Sequence, residues 1–506
     1  MKKKISCLIF TLTIILSTLI TAFAGSVLPA SSDKLFDFNN IFECFKASPS
    51  AITVASLSFI AVLIFVIFSK KLSNRLDKSS ASSMINAFIA FFSVSGIACL
   101  ALSFATEGET WSNLMHVSSD ESLFKSQFED YILGIKSTGT LQFHKTAATN
   151  TPFAHLIYFI LAQFLPTKLI YSTSILDYTK IFKNQQFMFL YLMLILFIIV
   201  IIYRMSRVVI KKNNINIRNE VVLFLMAVSF PMIYCIEKGS ITVLISLILV
   251  MTFLMFRNHG KSAVRELSHL ALAAASAITP YTIVFALLLL EEKSKKCIVC
   301  FTRTVIYFVI IFITPSVFTG PENFATYLKV FFSVSAEGYI AGNMSIANLL
   351  HFFGINNTII TYAVVILTQV IAVIALLTLE SAWQKTAAAV YIILNIFAVS
   401  DAVAILFIFI PLFLLLAEKE HKASHWLYLL SFALLVTPLP EWFRFDENFN
   451  MFMESMNISE IRNANNLITL AAVQFILVVL FCQTTALMKD KKAKKQAEIA
   501  EKSAIS

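Results

Sequence analysis

Two neighbouring carboxylates, Glu129 and Asp130, have the type and spacing needed for proton-transfer chemistry. They lie between aromatic residues in Phe128-Glu129-Asp130-Tyr131, within a polar stretch from Thr106 to Gln185 that interrupts an otherwise apolar chain. In such a pair, one carboxylate can accept a proton from a hydroxyl group while the other stays solvated or binds a cation. Because any exposed stretch of this length contains acids, the pattern alone indicates a general base without choosing between Glu129 and Asp130.

Other polar residues at the ends of apolar runs are candidate substrate contacts. Glu237 and Lys238 belong to a short turn, Glu237-Lys238-Gly239-Ser240, between two apolar runs. Lys238 could bind an anion, although an interfacial lysine more often extends its amine to water. Asp401 stands alone between two further apolar runs, where an acid commonly caps the next helix. His144 and Lys145 could contact a phosphate, although a histidine in a loop is often only solvated.

The composition shows which elements must position these residues. The chain has 506 residues, of which 58% are hydrophobic and 14% charged. Its apolar residues form repeated runs, such as Ala51 to Phe68 and Phe187 to Tyr203, that are long enough to cross the ~30 Å hydrocarbon layer. We therefore predict an all-α, polytopic transmembrane bundle of about 12–14 membrane segments with a large first extracytoplasmic loop.

The basic residues predict the orientation of this bundle, because cytoplasmic loops retain Lys and Arg. Most of the 40 Lys and Arg residues fall in alternate connections, which places the polar stretch from Thr106 to Gln185 outside. The net charge of +10 is then an orientation signal and implies no nucleic-acid partner. Residues 1–24 carry Lys2-Lys3-Lys4 before an apolar run, as in a cleavable signal peptide or an uncleaved first helix.

Two segments do not fit simple alternation of spans. Thr151 to Tyr171 is apolar, but counting it as a span would move the basic loop from Arg204 to Arg218 outside. We expect it to lie along the outer interface. Leu267 to Leu290 is flanked by basic loops on both sides, which predicts a hairpin of two half-helices bent at Ile278-Thr279-Pro280-Tyr281. A polar bend at membrane depth is tolerated where it lines a wet cavity, so it is a candidate wall of the site.

Several classes of function have no support in the sequence. There is no Walker motif, no Gly-rich strand–turn–helix and no zinc-ligand spacing, so neither a nucleotide-driven pump nor a metal site is expected. The seven cysteines form no disulfide framework, and the Cys297-x-x-Cys300 pair has no partner pair or histidine beside it. We predict no cofactor.

The order of the motifs resembles that of polyprenol-phosphate-dependent C-type glycosyltransferases, and most closely glycosyltransferase family 87. The resemblance spans about Asn86 to Ala417. After the acid at Asp130 it includes, in order, Asn150-Thr151-Pro152-Phe153-Ala154-His155-Leu156-Ile157-Tyr158, Glu237-Lys238-Gly239-Ser240, Thr279-Pro280-Tyr281-Thr282, Asn343-Met344-Ser345-Ile346-Ala347-Asn348-Leu349 and Ser400-Asp401-Ala402. Where the family pattern has Arg, Asn and a basic residue, this chain has Lys238, Ser240 and Thr279.

The resemblance implies transfer of a hexose or pentose from a polyprenyl-phosphate donor to a glycan or lipid acceptor on the extracytoplasmic face of a bacterial inner membrane. Asp130 would be the general base. Lys238, helped by His144 or Lys145, would neutralise the departing lipid phosphate. The remaining substrate-binding residues would be Glu129, Glu237, Tyr281, Asn343 and Asp401. The resemblance implies no metal.

Two other functions are compatible with a many-helix membrane protein. A lipid-linked saccharide transporter or flippase would place charges at mid-membrane depth, whereas Arg303 is the main such charge here. An O-antigen polymerase or ligase would use a pyrophosphate-linked donor and arginine-rich outer loops.

The predicted divisions are residues 1–24, 25–82, a glycosyltransferase-like core at 83–417, C-terminal membrane helices at 418–487 and a basic cytoplasmic tail at 488–506.

Overall fold

The computed structural model describes the membrane core of the chain in several stretches. These are residues 79–105, 130–132, 134–135, 151–165, 184–212, 227, 229–290, 295–319, 343–352, 357–396, 402–418, 420–437 and 464–505. The predicted signal peptide or first helix at 1–24 and most of the polar stretch from Thr106 to Gln185 lie outside these residues.

Helices dominate the described residues, which confirms the predicted all-α class. The first half contains α1 (Ala81–Ala105), α2 (Pro152–Ala162), α3 (Gln185–Lys212), α4 (Phe230–Lys238), α5 (Ile241–Phe256), α6 (Ser262–Ile278), the 3₁₀ helix η1 (Pro280–Leu290) and α7 (Lys295–Thr319). The second half contains α8 (Ile346–Phe352), α9 (Thr358–Thr378), α10 (Ala382–Leu394), the 3₁₀ helix η2 (Ala402–Ile408), α11 (Phe409–Leu416), α12 (Ala423–Val436) and α13 (Ala464–Ile505).

Four of the described helices are long and apolar enough to cross a membrane. They contain the candidate spans Gln185–Met205, Cys297–Val317, Ile359–Thr378 and Thr469–Asp490, and several shorter apolar helices accompany them. The protein is therefore a polytopic membrane protein. The number of segments, about 12–14, stays a prediction because it includes undescribed parts of the chain.

The centre of the bundle is the part of α10 from Thr386 to Leu394, which is buried on all sides. The side chains from Thr386 to Leu394 are at most 7% exposed. Ala387, Ala388 and Ala389 are small enough to let neighbouring helices approach closely, as at other helix contacts in membranes. Helices α9, α11 and α13 and both 3₁₀ helices pack around α10. This packing connects elements that are far apart in sequence.

A short strand pair joins the start of α1 to the connection between α11 and α12. Strands β1 (Ser79–Ser80) and β2 (Glu420–His421) are antiparallel, with Ser79 opposite His421. They form the one sheet among the described residues.

The two segments that do not fit simple alternation of spans contain a short helix and a helix break, as the sequence predicts. Helix α2 begins at Pro152 and has 11 residues, so it is only about 16 Å long, too short for the ~30 Å hydrocarbon layer. Helix α6 ends at Ile278, Thr279 is extended, and η1 begins at Pro280. The break therefore coincides with the predicted bend. Where α2 lies relative to the interface stays a prediction.

Two contacts indicate that α6 and η1 form a hairpin. The Arg257 guanidinium, just before α6, donates a 3.3 Å hydrogen bond to the carbonyl of Leu288 near the end of η1. Arg303 of α7 forms an ion pair with Glu266 in the first part of α6. The two ends of the hairpin and the start of α7 therefore lie at the same end of the bundle, as the flanking basic loops predict.

We expect reporter fusions to detect this hairpin. Alkaline phosphatase fused after Gly260 and after Lys293 should be inactive in both cases, because both junctions lie on the predicted cytoplasmic side. A fusion after Asn450, in a predicted outer segment, is the positive control. Opposite activities of the Gly260 and Lys293 fusions would show a complete span and exclude the hairpin.

Candidate functional site

The turn between α4 and α5 has a Schellman geometry that fixes its direction. Gly239 has a φ of 78°, the left-handed conformation that ends many helices. The Ser240 amide donates to the Cys235 carbonyl at 3.0 Å, and the Gly239 amide donates to the Ile236 carbonyl at 3.1 Å. Helix α5 begins at the next residue, Ile241. Ser240 is thereby held at the N-cap position of α5.

Ser240 binds the predicted base instead of capping its own helix. Its hydroxyl donates a hydrogen bond to a carboxylate oxygen of Asp130, and it forms no side-chain cap with α5. Asp130 therefore lies at the amino end of α5, where the helix dipole favours negative charge. The contact joins two residues that are separated by 110 positions in the sequence.

Aromatic packing anchors the short segment that follows Asp130. The ring of Tyr131 lies 4.9 Å from Phe187 and 5.0 Å from Tyr191 of α3, and 6.5 Å from Tyr158 of α2. Tyr131 is fully buried. A Cβ added at Gly134 would lie 2.7 Å from the Tyr158 ring, so only glycine allows this approach. The aromatic residue after the acid pair thus packs inside the protein.

Helix α2 links the Asp130 segment to the hairpin bend. Besides its contact with Tyr131, Tyr158 lies within electrostatic range of the Asp130 carboxylate. At the start of the helix, the Thr151 hydroxyl accepts a hydrogen bond from the Ala154 amide and donates one to the Ile278 carbonyl, both at 3.1 Å. Thr151 therefore caps α2 and also satisfies the carbonyl freed at the end of α6.

The bend uses its own hydroxyl groups to satisfy the backbone. The hydroxyl of Thr279 donates to the Ala275 carbonyl at 3.1 Å, and that of Thr282 donates to the Thr279 carbonyl at 3.0 Å. Thr279 is 6% exposed, so the residue at the family's basic position has a structural role here. Tyr281 is half-buried and packs edge-on against Phe407 of η2 at 5.9 Å.

Asn343 lies in a separate polar corner, which we define as Asn343 to Asn348. The side-chain oxygen of Asn343 accepts two hydrogen bonds from Ser345, one from the backbone amide at 3.0 Å and one from the hydroxyl at 2.6 Å. The side-chain amide of Asn348 donates to the carbonyl of Asn343 at 2.8 Å. These bonds fold the corner back on itself at the start of α8.

Glu237 is a half-buried acid in the last turn of α4, next to Lys238, which is also half-buried. Burial raises the pKa of the Glu237 carboxyl from 4.5 to about 7. One of its oxygens is buried and has no hydrogen-bond partner among the described residues. Near neutral pH this carboxyl is often protonated, so it can donate as well as accept a hydrogen bond.

The structure brings together some of the predicted site residues and not others. Asp130 meets the turn that carries Glu237 and Lys238, and α2 connects this region to the bend before Tyr281. The Asn343 corner forms its own cluster. The other predicted site residues, Glu129, His144, Lys145 and Asp401, lie outside the described residues. Sequence reasoning did not select Ser240 or Tyr158 as site residues, although both occur within the motifs.

No group of three or more potential metal ligands occurs among the described residues. Cys297 and Cys300 form no disulfide and are half-buried at the start of α7. Around Asp130, the candidate site presents a carboxylate, a hydroxyl, a titratable acid and a lysine.

We expect Glu237 to make folding stability pH-dependent. Its folded-state pKa is raised, so the native state binds a proton more tightly than the unfolded state between 4.5 and about 7. The Tm of the wild type should fall relative to that of Glu237→Gln as pH rises through this range, and the difference should level off above about pH 8. Thermal unfolding in detergent at several pH values measures this. Parallel Tm curves would contradict the assigned pKa.

Comparison with known families gives one match and supports the resemblance drawn from the motifs. The model of glycosyltransferase family 87 matches residues 148–438. Comparison with curated proteins and with solved structures finds no match. The matched region contains the turn, the bend and the Asn343 corner, whereas Asp130 precedes it and α13 follows it. Since the match covers more than half of the 506 residues, the chain belongs to glycosyltransferase family 87 and is a membrane glycosyltransferase.

Proposed function

We propose that this protein transfers a single sugar from a polyprenyl-phosphate donor to a glycan or lipid acceptor at the extracytoplasmic face of a bacterial inner membrane, with Asp130 as the general base. The observation that carries the proposal is the contact between Asp130 and Ser240. It holds a carboxylate at the turn between two membrane helices, which is predicted to lie at the outer surface. A lipid-linked donor would present its headgroup at that depth.

In the proposed reaction, the Asp130 carboxylate removes the proton from an acceptor hydroxyl. The hydroxyl oxygen forms a bond to the anomeric carbon, while the bond from that carbon to the phosphate oxygen breaks. Both electrons of the broken bond leave with the phosphate, so the products are the glycosylated acceptor and a polyprenyl phosphate anion. Attack from the face opposite the leaving group inverts the configuration. No redox partner or metal is required by this balance.

The residues of the turn supply the remaining groups. Lys238, two positions before Ser240, would stabilise the negative charge that develops on the leaving phosphate. Glu237 in its protonated form would donate a hydrogen bond to an oxygen of the polyprenyl-phosphate sugar. This bond would give the buried carboxyl oxygen of Glu237 a partner. Tyr281 and Asn343 would orient the sugar. Glu129, His144, Lys145 and Asp401 remain candidate contacts from the sequence.

The observations give the transporter alternative no specific support. Arg303, the main charge within an apolar run, forms an ion pair with Glu266, and the Tyr307 hydroxyl lies 3.5 Å from the same carboxylate. A paired charge at the predicted cytoplasmic end is consistent with a structural contact between α6 and α7.

We expect Asp130→Asn to lower sugar transfer by about 10²–10⁴-fold, the usual contribution of a general base, with unchanged protein abundance. The assay uses protein in lipid nanodiscs, a panel of radiolabelled undecaprenyl-phosphate hexoses and pentoses, and a glycan or glycolipid acceptor extract. Asp120→Asn, in the same polar stretch, is the matched control and should keep full activity. Wild-type turnover by Asp130→Asn would exclude the proposed base. Activity with nucleotide sugars alone, or with pyrophosphate-linked donors alone, would exclude the proposed donor class.

We expect Ser240→Ala to lower kcat about tenfold with little change in donor KM, because one hydrogen bond that orients the base is lost. Ser246→Ala is the matched control on the same helix. Its hydroxyl is fully buried and donates to the Ala275 carbonyl at 3.5 Å, away from Asp130. Steady-state kinetics of the three proteins measure the effect. Equal losses in both variants would mean that Ser240 contributes only to packing.

A further inference from the structure

The C-terminal helix α13 contacts the Asn343 corner through one polar side chain, Gln474. Its amide nitrogen donates hydrogen bonds to the carbonyl of Met344 and to the side-chain oxygen of Asn395, both at 3.2 Å. Its amide oxygen accepts a hydrogen bond from the hydroxyl of Tyr391 at 3.0 Å. Gln474 therefore joins α13, the central helix α10 and the corner.

Asn395 connects this network to the backbone of the corner. Its side-chain oxygen accepts a hydrogen bond from the amide of Ile346 at 2.9 Å, and its side-chain nitrogen donates to the carbonyl of Tyr391 at 3.0 Å. Asn395 is fully buried. Gln474 and Asn395 thus hold the residues on either side of Ser345, namely Met344 and Ile346, so the corner cannot move without breaking both contacts.

Gln474 lies where the loss of these hydrogen bonds would be costly. It lies within the candidate span Thr469–Asp490, where little water is available to replace a lost partner. It also lies beyond residues 148–438, the region that matches the family. A segment outside the matched region therefore supports a motif inside it.

We propose that Gln474 is a positioning residue for the substrate-binding corner, and that α13 completes the glycosyltransferase site through it. This inference rests on the proposed function, because it takes Asn343 as a contact of the donor sugar. Gln474 acts through the main chain of Met344 and through Asn395. Its loss should displace Asn343 while leaving the base at Asp130 in place.

A second glutamine on α13 offers a matched control with the opposite hydrogen-bond polarity. The side-chain oxygen of Gln483 accepts hydrogen bonds from the amide nitrogen of Gln384 at 2.8 Å and from the hydroxyl of Tyr428 at 2.9 Å. Gln483 thus links helices by accepting, whereas Gln474 contacts the corner and Asn395 by donating. Glutamate has nearly the same shape as glutamine but, when ionised, only accepts.

The test compares Gln474→Glu with Gln483→Glu by hydrogen–deuterium exchange of the peptide covering residues 343–352. Gln474→Glu loses both donated bonds when ionised and at least one of them when protonated, so exchange at the amides of Ser345 and Ile346 should become faster. Gln483→Glu keeps both accepted bonds and should exchange like the wild type. Gln474→Leu provides a second loss of the donor without an added charge. Unchanged exchange in both Gln474 variants would overturn the inference.

Kinetics separate positioning from a general loss of stability. With the undecaprenyl-phosphate sugar that the wild type turns over fastest in the panel, Gln474→Glu should raise donor KM about tenfold and leave kcat within about twofold. Gln483→Glu should change neither. Asn343→Ala should raise donor KM to a similar extent. An equal loss of kcat in both Glu variants, or an unchanged KM in Gln474→Glu, would overturn the positioning role.

The same experiment distinguishes this inference from the proposed function. If no member of the donor panel is turned over by the wild type, the proposed function fails, while the exchange measurement still decides whether Gln474 holds the corner. If the wild type is active and Asn343→Ala raises KM but Gln474→Glu does not, the inference fails and the proposed function stands.

Discussion

The structure depends on satisfying backbone hydrogen bonds at the break between α6 and η1, which the sequence predicts to lie at membrane depth. Pro280 ends the regular ladder of α6, and the bilayer core offers no water to the groups that are freed. The Thr151 hydroxyl binds the Ile278 carbonyl, and Thr279 and Thr282 satisfy neighbouring carbonyls. Because Thr151 also caps α2, the break fixes where that helix begins. The hairpin and α2, which contacts Tyr131 through Tyr158, are therefore mechanically coupled.

The turn from Glu237 to Ser240 provides a hydrogen-bond partner for a charged group, the Asp130 carboxylate. A left-handed Gly239 lets α5 start immediately after α4 ends, so its amino end faces the Asp130 carboxylate with Ser240 between them. The family pattern has Asn at this position. Ser240 is shorter, but its hydroxyl still supplies a donor. A hydroxyl at this position is thus compatible with a held carboxylate, whereas Thr279 hydrogen-bonds the backbone at the position where the motif comparison expects a basic residue.

Two polar clusters with different supports make up the candidate site. The Asp130 cluster depends on α2, α3, α4 and α5, through Tyr131 packing and the Ser240 hydrogen bond. The Asn343 corner depends on α10 and α13, through Asn395 and Gln474. Residues Thr386 to Leu394 of α10 are buried, so the second cluster is attached to the packed centre of the bundle. This separation is consistent with one cluster performing proton transfer and the other binding the sugar.

The sequence by itself determined the membrane class, the hairpin, the break at Thr279-Pro280 and the order of the motifs. Apolar run length, Lys and Arg placement and proline chemistry are local properties, which is why they could be read along the chain. Only the tertiary structure decided that Ser240 binds Asp130, that Tyr131 packs inward and that Thr279 is used by the backbone. The role of Gln474 could not be predicted from the sequence either, since a lone glutamine in an apolar run carries no periodic signal. Its partners lie 79 to 130 positions away, and packing around α10 brings them within hydrogen-bonding distance.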